Sequence, residues 1–472
     1  MYLSQFFTEY DDTLSQNLNI DPLGMTMIWS ALGQRIFKNR VSSISNDVRN
    51  YTLNLVHHLA IKELVDSSIR LAGQVSNLYP NIDSLSFKQA CLIHAENLFV
   101  YSMLEGSNQA DKQVGTLGIL GASKGRKKQN SDGKFNATLT FTHTAKSNLL
   151  VRQLTLGVSG RYKTPFIEMQ FFDKEYRYKH PNFEPSWRLA SELVNSRPAL
   201  KQVKEHLKQH FKVLLSTDSK EPQCCFSDVM PALKEAYTLA FATPEVVGSL
   251  TKEFWLSVTG LNQGAAGTLY DVIEAHKQES GQPLKPEQLF NIALSKCEDK
   301  EEEHKLQQII DVEPFLAECE MLFRLVMSER IQSSEDLYDK YLELGRTSDT
   351  LPNLASSLVD KIAIQQVLTG IANGRYKKLL KLAQLPSEDD QQGFIKVVQH
   401  LLRYHAEIMI RRGQSAWVEQ DNKGNFRCHI KLAKEPNKSN SPINTWYHRY
   451  YISEFHQLIS GLEGQAQTVQ QT

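Results

Sequence analysis

The 472-residue sequence has no excess charge of either sign: 53 Lys and Arg stand against 53 Asp and Glu. Nothing global therefore draws the chain to nucleic acid or to an anionic membrane, and any electrostatic targeting must come from local patches. It also lacks an apolar run of about 18 residues or more, so no transmembrane helix is expected. The first residues, MYLSQFFTEYDDTL, have no basic stretch leading into an apolar core, which argues against a secretory leader. Cysteine is sparse: six residues (Cys91, Cys224, Cys225, Cys297, Cys319, Cys428) are scattered over the whole length. That spacing excludes a disulfide scaffold and fits a reducing compartment. A cytoplasmic protein with no membrane partner is the expectation.

Complete catalytic signatures are missing too. Gly115, Gly118, Gly121 and Gly125 form a glycine ladder, but their spacing satisfies neither GxxxxGK[ST] nor GxGxxG. There is no G-x-S-x-G elbow and no HExxH, no EF-hand loop, and no second CxxC to complete a zinc site with Cys224-Cys225. His429-Ile430-Lys431 is half of a phospholipase-type HxK motif without its downstream aspartate. His94 and Glu96 are the best remaining acid and base, yet two residues apart on a helix they do not face each other. No cofactor and no metal are expected, and the balance is against an enzyme, without excluding one of unrecognised type.

What is present is helical periodicity. Met25, Ile28, Trp29, Leu32 and Ile36 fall on one stripe after Asp21-Pro22, a cap and a first helical position. Asp47 is placed to cap a helix over Val48–Leu64, in which His57 and His58 read as one packed and one polar side chain. Helices are expected at Ser86–Leu104, Pro198–Leu215, 244–277 with a break at Gly260–Gly264, Ser334–Leu344, Leu354–Ile371 and Phe394–Arg411. The stripe Leu200, Val203, Leu207, Phe211, Leu214 is the cleanest of them. Phe135–Thr142 alternates as a strand. Ala416–Gln420 and Asn425–Lys431 flank Asp421–Gly424 as a β-hairpin, followed by an aromatic helix over Trp446–Leu462. The residues from Gly464 onward read as a disordered tail. The fold class predicted is mainly α, multi-helical, with a small β insertion and a C-terminal hairpin. Five segments suggest themselves: 1–114 helical, 115–180 glycine-rich and basic, 181–280 helical, 281–412 helical and acidic, and 413–472 hairpin and aromatic helix. The loop Ser280–Pro283 is a candidate boundary.

Charge is uneven along this neutral chain. From Ser123 to His180 twelve basic side chains (Lys124, Arg126, Lys127, Lys128, Lys134, Lys146, Arg152, Arg161, Lys163, Lys174, Arg177, Lys179) meet four acids (Asp132, Glu168, Asp173, Glu175). Tyr162, Phe166, Phe171, Phe172, Tyr176 and Tyr178 are interleaved with them. Basic residues with aromatics suit phosphate contact with base stacking; the same pattern suits a packed element with a solvated basic face. Helices at Lys146–Leu156 and Tyr162–Phe172 around Gly157 and Gly160 would give a helix-turn-helix outline, although Pro165 favours an extended Thr164. The ladder itself reads as a surface loop. From Glu298 to Glu343 fourteen acids face five bases, the solvated side of a helix whose stripe is Phe315, Cys319, Leu322, Val326 and Met327.

Three stretches carry a resemblance: DPLGMTMIWSALGQRIF with SISNDVRNYTLNL, LGVSGRYKTPF, and RRGQSAWVEQDNKGNF. In these the chain resembles an uncharacterised bacterial family found in anti-phage defence gene clusters. The resemblance implies a setting, with other defence-system subunits as partners, and transfers no catalytic residue. The functional expectation is a nucleic-acid-binding (DNA or RNA) or scaffolding subunit of a defence system. Lys124, Arg126, Lys127, Lys128, Arg152, Arg161, Tyr162 and Lys163 are the contact residues. The alternatives are an enzyme of unrecognised type and a protein-interaction module using the acidic segment.

Overall fold

The computed structural model describes residues 21–67, 69, 71, 73–109, 113–130, 135–217, 219–280, 283–385 and 390–464. Helix dominates, with two small sheets of two and three strands. The opening residues, Asp132, Lys134, Gly281, Gln282 and the tail beyond Gly464 lie outside the described residues. Among those described, no helix is long and apolar enough to cross a membrane.

The chain divides into two compact units, and both are discontinuous in sequence. One takes residues 1–36 with 285–450; the other takes 37–284 with 451–472. The five sequence segments do not map onto these units one to one, because residues 21–36 group with 285–450 and residues 451–464 with 37–284.

In the first unit the stripe Met25, Ile28, Trp29, Leu32, Ile36 is buried. The helix that carries it begins at Thr26 rather than at Pro22. Asp21 bonds the N–H of Met25 at 2.8 Å and that of Thr26 at 3.3 Å, so it caps across a turn instead of from the adjacent position. The 27-residue helix Lys300–Val326 is capped by Asp299 and runs through this unit with its predicted stripe fully packed. Leu354–Ile371, read as one helix, is three short pieces: Thr350–Val359, Ile362–Val367 and Gly370–Leu379. The hairpin forms from β4 (Val418–Gln420) and β5 (Phe426–Cys428), with Val418 opposite Cys428. A strand the sequence did not announce, β3 (Ile331–Gln332), pairs with β5 to give the order β3-β5-β4. Two residues carry too little periodicity to be recognised as a strand.

The acidic stretch of this unit is less solvated than its composition suggests, since Glu313, Glu318 and Glu320 are buried. Glu318 accepts from Arg346 and from Tyr341 Oη. Glu313 accepts four bonds: Trp29 Nε1 at 2.8 Å, Tyr450 Oη at 2.7 Å, and the backbone N–H of Tyr447 and His448 at 2.7 Å each. The helix expected from Trp446 starts only at Ile452, because the backbone at Tyr450 and Tyr451 leaves the right-handed helical region. The 447 and 448 amides are committed to a carboxylate, and Tyr450 and Tyr451 then turn through positive φ of 47° and 62°.

In the second unit Val48–Asp66 and Leu85–Ser107 are buried on nearly every side. Asp47 caps the former as expected, its carboxylate accepting from Arg49 N. His57 and His58, expected as one packed and one polar side chain, are both buried, each bonded to a tyrosine hydroxyl at 2.9 Å (Tyr237 and Tyr178). Pro198–Leu215 matches its predicted span, and its stripe is buried. The helices Pro244–Thr259 and Gly264–Ser280 are separated where Gly260 adopts a φ of 61°. Of the expected strand Phe135–Thr142 only β1 (Thr138–Thr140) is regular, and it pairs antiparallel with β2 (Gln223–Cys225).

Burial outweighs the four donors and pushes the Glu313 carboxyl up to about 7. The folded protein therefore holds this proton where the unfolded chain, with a carboxyl near about 4.3, has released it. Its contribution to stability is full below about pH 4.3 and is lost as pH rises through 7. In Glu313→Gln the amide sets N–H against N–H or O–H on one side of the site. That variant cannot ionise, so urea unfolding is expected to show a shallower fall in stability between about pH 5 and 7 than in the wild type.

Candidate nucleic-acid interface

The glycine-rich stretch is built around one buried ion pair. Asp47 and Arg49 lie 2.6 Å apart with both side chains almost wholly buried. The guanidinium also donates to the carbonyl of Gly115, at 2.5 Å, and to that of Leu117; Asn50 reaches the carbonyl of Gly118 at 3.3 Å. The chain thus turns its carbonyls inward to a cation, the opposite polarity from a loop that presents N–H groups to phosphate. The glycines serve this approach. Gly118, at φ 82°, faces the Asp47 carboxylate so closely that a Cβ would collide with it. At Gly125 a Cβ would come within 2.6 Å of Leu104 Cδ1 and 3.1 Å of Val100 Cγ1.

That last contact seats the helix Ala122–Arg126, with Ala122 and Gly125 buried on the long Leu85–Ser107 helix. Seating this face leaves the rest outward, and Lys124, Arg126, Lys127 and Lys128 are all exposed. None has a carboxylate within ion-pair distance among the described residues; Arg126 bonds Thr116 Oγ1. Arg152 is also exposed. It stands three residues past Leu149, whose Cδ2 would lie 3.2 Å from a Cβ at Gly121, at the start of the same short helix. Other members of the basic segment are committed elsewhere. Lys146 pairs with Glu221, Arg177 with Asp173, and Lys179 with Asp66. Lys163 is half-buried with its Nζ 4.3 Å from the centre of the Tyr176 ring, and burial lowers its pKa.

Of the two readings of the aromatics, packed element or base-stacking platform, their burial agrees with the packed one. Tyr162, Phe166, Phe171, Phe172, Tyr176 and Tyr178 are all buried. Tyr162 donates to the carbonyl of Ile44 at 2.9 Å and packs edge-on against Tyr51. A ring with no open face cannot stack a base, so Tyr162 is removed from the contact set. Phe172, Tyr176 and Tyr178 surround His58, and beside them Lys88 is wholly buried, paired with Asp83 at 2.6 Å and bonded to Tyr176 O at 2.9 Å. The helix-turn-helix outline dissolves as well. Its pieces are the helices Gln153–Leu156, Val158–Arg161 and Lys163–Glu168, with Pro165 in the first turn of the last, too short for a recognition helix.

His94 and Glu96 are buried and serve separate neighbours. Glu96 accepts from Ser159 N at 2.7 Å and Gln153 Nε2 at 3.1 Å, anchoring the turn into Val158–Arg161; burial raises its pKa. His94 Nε2 lies 2.9 Å from His210 Nε2, on the Pro198–Leu215 helix, with the two rings stacked. Cys224 of β2 completes a group in which the three potential ligand atoms all lie within 4.8 Å of one another. Burial holds His94 well below the usual histidine range and His210 down to about 4. Burial, with Cys225 and Asp228 nearby, pushes the Cys224 thiol up to about 11. The expectation of no metal ligands rested on motif spacing, and no spacing rule joins residues 94, 210 and 224.

No family model, curated protein or solved structure matches this chain.

The Arg49 clamp is testable through its closest glycine. In Gly118→Ala the new Cβ meets both a left-handed backbone and the Asp47 carboxylate. Chemical unfolding is expected to show a loss of about 1–3 kcal/mol, whereas Gly374→Ala, in a helix with open space around it, is expected to be neutral or stabilising by up to about 1 kcal/mol.

Proposed function

We propose that the chain is a cytoplasmic nucleic-acid-binding or scaffolding subunit, in the anti-phage defence setting that its resemblance implies, and that it contacts phosphate rather than bases. The observation that supports this is the set Lys124, Arg126, Lys127 and Lys128: four exposed cations at one short helix, unpaired by carboxylates among the described residues, in a chain of zero net charge. Arg152 and the half-buried Arg161 extend the set. With the segment's aromatics in the core, binding draws on counterion release and carries little sequence preference. The acidic segment is a weaker basis for a partner surface, since Glu313, Glu318 and Glu320 are spent inside the protein.

The test is binding of a fluorescent single- or double-stranded oligonucleotide across a salt series. Lys124→Ala/Lys127→Ala/Lys128→Ala is expected to weaken binding by tenfold or more at about 0.1 M salt and to reduce the slope of log K against log salt by about 2–3. Lys146→Ala, whose charge is already paired with Glu221, is expected to change the slope little. An unchanged slope in the triple variant, or no binding by the wild type at low salt, would overturn the reading.

A further inference from the structure

His94, His210 and Cys224 have no part in phosphate contact, and as a core packing arrangement they are poorly satisfied. The two Nε2 atoms share a single hydrogen bond, so one ring must present N–H and the other a lone pair. Whichever tautomer holds, His94 Nδ1 is buried without a partner. The net gain from a neutral hydrogen bond is comparable to the cost of one unsatisfied buried group. The arrangement also brings a ligand nitrogen of each imidazole and the Cys224 sulfur within 4.8 Å of one another.

We propose that His94 Nε2, His210 Nε2 and Cys224 Sγ are the protein ligands of a zinc site whose fourth position is left to water or a small anion. The dimensions fit. Tetrahedral zinc with bonds of about 2.0–2.1 Å to nitrogen sets its two nitrogens about 3.3 Å apart, and with a bond of about 2.3 Å to sulfur sets nitrogen and sulfur about 3.6 Å apart. The nitrogens stand at 2.9 Å and all three atoms within 4.8 Å. Ring and thiol shifts of under about 1 Å therefore close the coordination shell. The ligands are on regular elements: two helix interiors, and the middle of β2, where Cys224 is opposite Leu139. Phe141 and Phe211 pack against the His94 ring and fix its orientation. The donor set selects the ion. Two imidazoles and a thiolate suit a borderline-soft cation and disfavour magnesium or calcium, which need oxygen ligands. No further histidine, cysteine or carboxylate joins the group within that distance among the described residues, and this leaves the fourth position open. Binding takes the thiol proton off Cys224, which is half-buried, and passes it to solvent, and the ring that carried its proton on Nε2 in the hydrogen bond shifts it to Nδ1.

The experiment uses the full chain, stripped with a chelator and titrated with zinc against a competing indicator, and in parallel with cobalt as a spectroscopic substitute. The wild type is expected to take up about one zinc per chain and, with cobalt, to show a thiolate charge-transfer band with tetrahedral visible absorption. Cys224→Ser is expected to lose the charge-transfer band, and both it and His210→Gln to weaken zinc at least about 100-fold. Cys225→Ser is expected to bind as the wild type does. Circular dichroism checks each variant for folding; if His210→Gln fails to fold, the half-buried, strand-borne Cys224→Ser decides alone. No saturable zinc in the wild type, equal zinc uptake by Cys224→Ser, or retention of copper but not zinc would overturn the assignment. None of these readings involves nucleic acid, so failure of phosphate binding and failure of the metal site are distinguishable.

Discussion

Glu313 is a carboxylate taken wholly out of water and answered by four donors from two ends of one folding unit. Trp29 comes from the first helix described, Tyr447, His448 and Tyr450 from the last segment before the unit's sequence ends. Desolvating such a group costs several kcal/mol, and the cost is recovered only when all donors are in place. A half-assembled site is worse than none. That condition makes residues 21–36 and 285–450 a single unit instead of two pieces that happen to touch. It also fixes the path of the segment, because the Tyr447 and His448 amides must both reach the Glu313 carboxyl. Trp446–Arg449 lies outside regular structure, Tyr450 turns through positive φ, and the Trp29 ring stacks on Tyr447 and His448.

The second unit is organised by the same device in different chemistry. Asp47 caps a helix, pairs with Arg49, and through that guanidinium holds the carbonyls of Gly115 and Leu117. Buried Lys88, with Asp83 and the Tyr176 carbonyl, fixes the strongly aromatic stretch beyond it. In each case an isolated buried charge would be prohibitive, and a fully bonded one specifies where an irregular segment must lie. Irregular backbone has no ladder of its own hydrogen bonds to set its path. It is understandable that the longest non-repetitive stretches are those tied to buried ions.

This explains which parts of the fold are legible in the sequence. Helices whose stability comes from an apolar stripe, such as Pro198–Leu215, write that stripe at a 3.6-residue period, and their spans follow. The hairpin is legible because Asp421–Gly424 has its own turn chemistry, with Asp421 accepting from Lys423 and Asn425 amides. What periodicity does not encode is a long-range polar contract. Nothing near Tyr447 indicates that its amide belongs to Glu313, and nothing near Gly115 points to Arg49. The aromatics between Tyr162 and Tyr178 were ambiguous for a related reason. Interleaved basic and aromatic residues have the same composition whether the rings face solvent or the basic groups do. Here the rings were drawn in by His58 and Lys88, and the cations were left outside or paired. The basic cluster at Lys124–Lys128 was legible because charge at that density has few places to go except outward.

The Leu85–Ser107 helix ties these features together. Its buried faces present, in order, Lys88 to the aromatic stretch, His94 to His210, Glu96 and Asn97 to the turns at Ser159 and Ser147, and Val100 and Leu104 to Gly125 of the basic helix. At about 1.5 Å per residue, His94 and the seat of the basic helix are separated by roughly 9–15 Å along one rigid rod. A helix with so many sides engaged has little freedom to carry solvent-facing polar residues, which is why its histidine and glutamate look catalytic in sequence and prove to be committed in structure. It also means that the ligand triad and the exposed cations depend on the same scaffold without sharing a residue. Substitutions at the cations leave the rod untouched, and substitutions at Cys224 act on a strand beside it. Damage to the rod itself would disturb both features at once, so the separation of their effects in variants that keep the helix intact is what gives each assignment its meaning.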